Sequence, residues 1–226
     1  FLADWYFTER GIRDRVEIVF ATPLDGAFTK PVSSATLGGL LEEKDIELVT
    51  EFNTGEVDGA GGRLVSYDER EVPFDLLVTI PVHSGAEYVG RSEGLGDELD
   101  FVPTDEHTLQ SKVRPNIFVI GDAASVPTSK AGSVTHFEGE VLTENVQNFL
   151  AGRDLVEGFD GHANCFIETG FHKALLIDFN YETEPLPGRF PIAAGPLPLL
   201  RESRLNHLGK LMFQWVYWHV LLPGRD

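Results

Sequence analysis

Two short stretches hold residues whose types and spacing could do chemistry. The first is Gly121-Asp122-Ala123, which closes the apolar run IFVI at residues 117–120. Glycine lets a backbone turn and approach a ligand closely. An aspartate beside it places a carboxylate at the carboxyl end of a strand, where open α/β sheets bind ligands. On spacing alone the same residues also fit an ordinary strand–turn–helix with a turn aspartate. The second stretch is FDGHANCFIETG, residues 159–170, around Cys165. Cys165 is the single cysteine, which excludes an internal disulfide framework and a cysteine-cluster metal site. A lone cysteine is either a small buried hydrophobe or a reactive thiolate. The seven histidines show no metal-ligand spacing, so no metal is expected.

Both stretches need elements to position them. Residues 1–15 read as a helix interrupted near Gly11, and residues 16–23 as a strand. Residues 32–43 read as a helix opened by Ser33 and Ser34, and residues 46–52 as the next strand. Residues 55–62 form a turn-rich link. A hairpin strand follows within residues 63–81, then a central strand at 74–80. The run at 117–120 reads as a buried strand, residues 125–133 as a polar loop. The next helix carries Val134, Phe137, Val141 and Phe149 on one stripe, with Gly152 just past its end. Helix and strand in alternation, followed by short strands, indicate an α/β fold containing the second half of a nucleotide-binding-type domain.

The tail opens with Ser203 as a helix N-cap. From residue 211 to 222 only Gln214 and His219 are polar. Twelve such residues are too few to span a bilayer, so the run is a core helix, a dimer contact or an interfacial helix. Trp215, Tyr217 and Trp218 favour the headgroup zone, and Lys210 and Arg225 flank the run.

Composition narrows the classes further. At 226 residues and 42% hydrophobic content the chain can bury a sizeable core. Its net charge of −18, from 36 acidic and 18 basic residues, disfavours nucleic acid as a partner. Only six of the basic residues are lysine, and an acidic, lysine-poor surface is what a salt-loving cytoplasm selects. From Pro185 onward the charge reverses to +3, which leaves −21 on the residues before it. A basic, aromatic tail on an acidic body suggests an anionic membrane surface as the tail's partner. No signal peptide is visible. The sequence does not begin with methionine and its first apolar pattern is already under way at Phe1, so a fragment is expected.

An apolar strand, Gly-Asp-Ala and a helix together resemble the last flavin-binding motif of the two-dinucleotide-domain flavoproteins. There the aspartate accepts a hydrogen bond from a flavin ribityl hydroxyl, and the helix N-terminus favours reduced, anionic flavin. Asp160, Gly161, Cys165, Thr169 and Gly170 fit a D-G-x-x-x-C-x-x-x-T-G frame, and Asp178, Phe179 and Tyr181 fit the strand after it. With the aromatic tail, this order resembles the sulfide:quinone oxidoreductases over nearly the whole chain. Asp75 to Pro81 is similar to the segment that returns towards the flavin, although Thr79-Ile80-Pro81 stands where the family often has Ala-Thr-Gly.

The resemblance implies three regions. Residues 1–81 would be a partial NAD-like Rossmann-type domain. Residues 82–158 would return into the FAD-binding Rossmann domain, and residues 159–226 would form a C-terminal α+β quinone and membrane-interface region. It implies FAD as cofactor, held at Gly121, Asp122, Lys130 and Ala131, with the glycine-rich FAD motif and a partner cysteine lying before Phe1. Cys165 would be the redox cysteine for sulfide, and Phe166 a wall of the quinone pocket or a core aromatic. Leu211, Met212, Phe213, Trp215 and Trp218 would seat a monotopic protein on the cytoplasmic membrane. A role for Glu168 is left open between a proton relay and a solvated strand carboxylate. The strand ending Ala21-Thr22-Pro23 has no acid for nicotinamide ribose, which argues against NADH and so against the runner-up, a type II NADH:quinone dehydrogenase. A non-catalytic membrane-peripheral homologue is the other alternative. Whether the protein forms a homo-oligomer is left open.

Overall fold

The computed structural model describes residues 1–192 and 194–222. Arg225, expected to flank the tail helix, lies outside the described residues. Two compact units are present. One comprises residues 1–80, 167–175 and 200–208, the other the rest of the described chain.

In the first unit α1 (Leu2–Glu9) ends before Gly11, whose φ of +66° breaks the helix where the sequence predicts. Asp4 on α1 is buried and held by Arg13 at 2.8 Å and Lys44 at 3.7 Å. β1 (Ile18–Ala21) and β2 (Ile46–Val49) pair in parallel, from Ile18 beside Ile46 to Ala21 beside Val49. The crossover between them is α2 (Pro31–Glu43), giving the expected strand–helix–strand unit. Its start differs from expectation: Pro31 occupies the first turn and no side chain caps it. Proline suits that position because its missing N–H has no partner there in any case. Ser34 instead uses its Oγ to accept the Phe28 N–H at 3.3 Å. Leu37, Leu41, Ile46 and Phe52 are buried.

The link expected at residues 55–62 is strand over its first half and turn over its second. β3 (Thr54–Asp58) pairs antiparallel with β4 (Arg63–Ser66), and β4 with β5 (Glu71–Pro73). The turn is confined to the few residues between, where the Gly61 N–H donates to Asp58 Oδ1 at 2.7 Å. Residues 74–80 are not the predicted central strand. They run irregularly, and Leu76, Val78 and Ile80 are exposed. Among the described residues no strand pairs with them, and an extended segment without a neighbour has no ladder to form.

The second unit opens with α3 (Glu87–Gly90) and β6 (Val102–Pro103), which pairs in parallel with β7 (Ala124–Ser125). Val89, Val102, Val119 and Ala124 form its apolar centre. Residues 117–120 depart from the predicted strand. They are extended but held by one bridge, Phe118 to Gln110, and by the Val119 N–H on the Leu109 carbonyl at 2.9 Å. α4 (Gly132–Leu150) follows, with Gly152 at φ +67° beyond its end as expected. Its buried face keeps Val134 and Val141 of the predicted apolar stripe but not Phe149. Phe149 is 39% exposed, while Val134, Glu138 and Asn145 are buried. Residues 134, 138, 141 and 145 share one helical face, so two polar side chains stand on the core side. Asn145 satisfies itself on the Thr108 carbonyl (3.0 Å) and on both the carbonyl (2.9 Å) and N–H (2.7 Å) of Val156.

β8 (Ala163–Gly170) and β9 (Lys173–Phe179) form a two-stranded sheet. β10 (Arg189–Phe190) pairs antiparallel with β11 (Leu197–Pro198). α5 (Arg204–Val216) runs on into a π-helical turn at Tyr217–Leu221. Ser203 caps it as predicted, its Oγ accepting the Asn206 N–H at 3.0 Å. Among the described residues no helix is long and apolar enough to cross a membrane. The architecture is α/β.

Candidate functional site

Gly121-Asp122-Ala123 forms a single 3₁₀ turn. Gly121 sits at φ +69°, and a Cβ placed on it would lie 3.1 Å from Thr135 Oγ1. Conformation and space both favour glycine there. The turn is clamped by the loop and helix that follow it. Glu138 Oε2 accepts the Gly121 N–H at 2.7 Å. Lys130 Nζ donates to the carbonyls of Asp122 (2.8 Å) and Ala124 (2.7 Å), with the ammonium 4.3 Å from the Phe101 ring centroid. Partial burial pulls the Lys130 pKa down, against the raising influence of Asp122, Glu138 and Asp97. Burial pushes the Glu138 pKa up, against the Gly121 N–H and Lys130. The Asp122 side chain is exposed, and Ala131 is the residue from which α4 starts. Gly121, Asp122, Lys130 and Ala131, singled out in the sequence, therefore gather around one turn and one helix N-terminus.

Cys165 lies on β8 with an exposed side chain. Its strand is stitched to the segment after the turn. Ser133 Oγ donates to the Asn164 carbonyl at 2.7 Å, and Thr128 Oγ1 to the Gly161 carbonyl at 2.9 Å. The frame residues build the ends of the strand. Gly161, at φ +80°, leaves room for the Tyr181 ring, which a Cβ there would strike. The Tyr181 N–H donates to the Asp160 carbonyl (2.9 Å) and its hydroxyl to the Glu106 carbonyl (3.1 Å). Thr169 is buried and its Oγ1 donates to the Lys173 carbonyl at 3.1 Å, closing the hairpin. Although Cys165 is solvent-exposed, the protein packed around its sulfur desolvates the thiolate and raises its pKa, and Lys210 opposes that rise.

Phe166, next along β8, is half-buried; a Cβ on Gly209 of α5 would lie 3.4 Å from its Cζ, an ordinary contact, and 3.0 Å from Leu197 Cδ1, which is the tighter neighbour. Further along α5 and its π-helical turn, Leu211, Met212, Phe213, Trp215 and Trp218 are all exposed, between 41% and 65%.

His162, His207 and Glu138 escape the sequence analysis. His162 Nε2 lies 2.7 Å from Asp178 Oδ1, and its ring stacks on Phe137 at 4.1 Å between centroids. Asp178 raises the His162 pKa, against burial. Glu168, for which a solvated carboxylate is one expectation, is instead half-buried and paired with His207 Nδ1 at 2.9 Å and 3.0 Å from its two oxygens. Thirty-nine residues separate that pair, so no local pattern signals it. Glu138 does carry a signal: an acid four residues after Val134 occupies a core position of the helix.

No protein-family profile matches the chain. It is 29% identical over 227 residues to the mitochondrial sulfide:quinone oxidoreductase of Schizosaccharomyces pombe, a match covering 96% of this chain and 49% of that protein. The corresponding mouse protein is 26% identical over 231 residues, covering 99% and 50%. The solved sulfide:quinone oxidoreductase of Aquifex aeolicus shares the fold with a TM-score of 0.71 at 17% identity, over 96% of this chain and 52% of that one. The chain spans about half the length of the curated relatives it matches. It is similar to the sulfide:quinone oxidoreductases over nearly all of its own length.

Proposed function

We propose that this chain is the cysteine-bearing C-terminal part of a flavoprotein that oxidises sulfide and passes the electrons to a membrane quinone. The observation that carries this reading is the pair of hydrogen bonds from Thr128 and Ser133 to β8 and the residues just before it. They fix the strand of Cys165 against the segment that follows the Gly-Asp-Ala turn. A sulfur nucleophile and an exposed carboxylate at a glycine turn then belong to one unit.

FAD, when bound, supplies the two-electron relay between sulfur and quinone. The residues fit it. Gly121 keeps the turn clear of a side chain, and Asp122 presents an exposed carboxylate that would accept a ribityl hydroxyl. Lys130 and Ala131 would stand at the ring, and the N-terminus of α4 favours negative charge. Cys165 holds sulfur in a disulfide or polysulfide bridge. Sulfide attacks that bridge, one S–S bond forms as another breaks, and the displaced sulfur keeps the electron pair that moves onward. Hydrogen sulfide and a quinone thereby give zero-valent sulfur and a quinol, with both electrons and both protons ending on the quinol.

Phe166 would wall the quinone pocket. The exposed apolar residues from Leu211 to Trp218 would rest in one leaflet of the cytoplasmic membrane, where a lipid-soluble quinone is at hand. NADH is not the donor in this reading: Thr22, at the end of β1, is buried, and its N–H and carbonyl are taken by Val49 and Phe52. The test is Cys165→Ser in the longer protein that contains this chain. Sulfide-dependent flavin reduction should fall by orders of magnitude while FAD stays bound; an unchanged rate would overturn the assignment.

A further inference from the structure

Glu138 places an acid where α4 packs its core face. The residue is 1% exposed. Oε2 accepts the Gly121 N–H at 2.7 Å, and Oε1 has no hydrogen-bond partner among the described residues. An ionised carboxylate so placed would bury a charge with one oxygen unpaired, under the opposing influence of the Asp122 carboxylate. A neutral acid leaves only a hydroxyl unpaired, at much lower cost. We propose that Glu138 is a positioning residue for the cofactor turn that works as the neutral acid: it fixes Gly121-Asp122-Ala123 through the Gly121 amide, and its ionisation, which draws the carboxylate out towards water at the expense of that bond, loosens the turn.

The groups facing it come from three places. Lys130 in the preceding loop favours the ionised form, and Asp122 on the turn opposes it. Tyr181, after β9, feels the Glu138 charge as a phenol whose own pKa is pushed up, first by burial. The Lys130 ammonium is committed to the carbonyls of Asp122 and Ala124, so it braces the turn from the other side and does not close on Glu138 alone. Burial is the largest influence on Glu138 and raises its pKa. The order it lends the turn is therefore complete below the ordinary carboxylate pKa, and is lost as pH rises through the raised value.

This inference rests on the reading that the turn receives a flavin, since only then does the direction of Asp122 matter. Its test needs no flavin. Amide hydrogen exchange of residues 121–124 is measured on this chain across pH, corrected for intrinsic exchange. Wild type is compared with Glu138→Gln, which keeps the shape and cannot ionise, and with Glu138→Ala. Wild type should lose about tenfold in protection as pH rises, the worth of one hydrogen bond. Glu138→Gln should keep its protection, and Glu138→Ala should lack it at every pH. If the alanine variant does not fold, wild type against glutamine decides the matter alone. Identical pH profiles in those two would overturn the proposal. Flavin fluorescence on the longer protein then separates the two claims. FAD affinity should fall over the same pH window in wild type and not in Glu138→Gln. A loosened turn with unchanged FAD affinity would leave the latch standing and remove the flavin from it.

Discussion

Replacing Trp215 and Trp218 by glutamate should detach the chain from lipid, and the structure gives the scale. Their side chains are 61% and 56% exposed. With about 250 Å² for a tryptophan, each offers roughly 140–150 Å² of surface to a bilayer. At about 25 cal/mol per Å², full withdrawal from water would contribute about 3.5 kcal/mol per ring. A helix lying in the interface withdraws roughly half of that area, so the pair contributes about 3–4 kcal/mol, several hundredfold in partitioning. Lys210 and Arg204 add about 1 kcal/mol each on anionic lipid, and salt screens that share. The assay is vesicle flotation with neutral and anionic lipid at low and molar salt. Wild type should float in both, and the double variant should sink in high salt. If the double variant floats like wild type, or wild type sinks once salt is added, the aromatic face is not the anchor.

Three further outcomes follow from particular groups. Burial holds the Cys165 thiol above its ordinary pKa while Lys210 pulls it down. Alkylation of this single cysteine should therefore show a midpoint above that of a free cysteine peptide, and Lys210→Met should move it higher still; a profile matching the peptide would refute this. Asp178 raises the His162 pKa, so the stability from that pair is complete below the ordinary histidine pKa and lost as pH rises through the raised value. Urea midpoints at pH 5.5 and pH 9 should show this loss in wild type and a smaller one in Asp178→Asn; equal losses would refute it. Gly121→Ala must hold a Cβ at φ +69° against Thr135, which should cost about 1–2 kcal/mol. An unchanged urea midpoint would show that the turn relaxes freely.

What could be read in the sequence is what single segments decide. Gly11 and Gly152 end helices because their own backbones turn left-handed. Ser203 caps α5 with its own hydroxyl. The strand–helix–strand unit from β1 to β2 follows from apolar runs separated by a helical pattern. The Cys165 frame is legible as spacing, but the reason for its glycines is not: Gly161 answers to Tyr181, and Gly170 to Trp5, far along the chain. Residues 74–80 have the composition of a strand, yet pairing belongs to a strand and its neighbour together. Likewise Glu168 looks solvated until His207 arrives from α5. Counting only the apolar members of the α4 stripe passes over Glu138, although the acid on that face is the informative residue.

The stretch from Leu76 to Val82 has a consequence for handling the protein. Leu76, Val78, Ile80 and Val82 are each at least 77% exposed. Alternate apolar residues on a segment that no strand pairs with among the described residues are a template onto which another copy can add as a strand. Asp75 flanks the stretch and Pro81 alone interrupts it. What keeps copies of the isolated chain apart is their mutual repulsion at a net charge of −18. Acid near the isoelectric point removes that repulsion and leaves the template untouched, so colloidal stability should fail there well before the fold does.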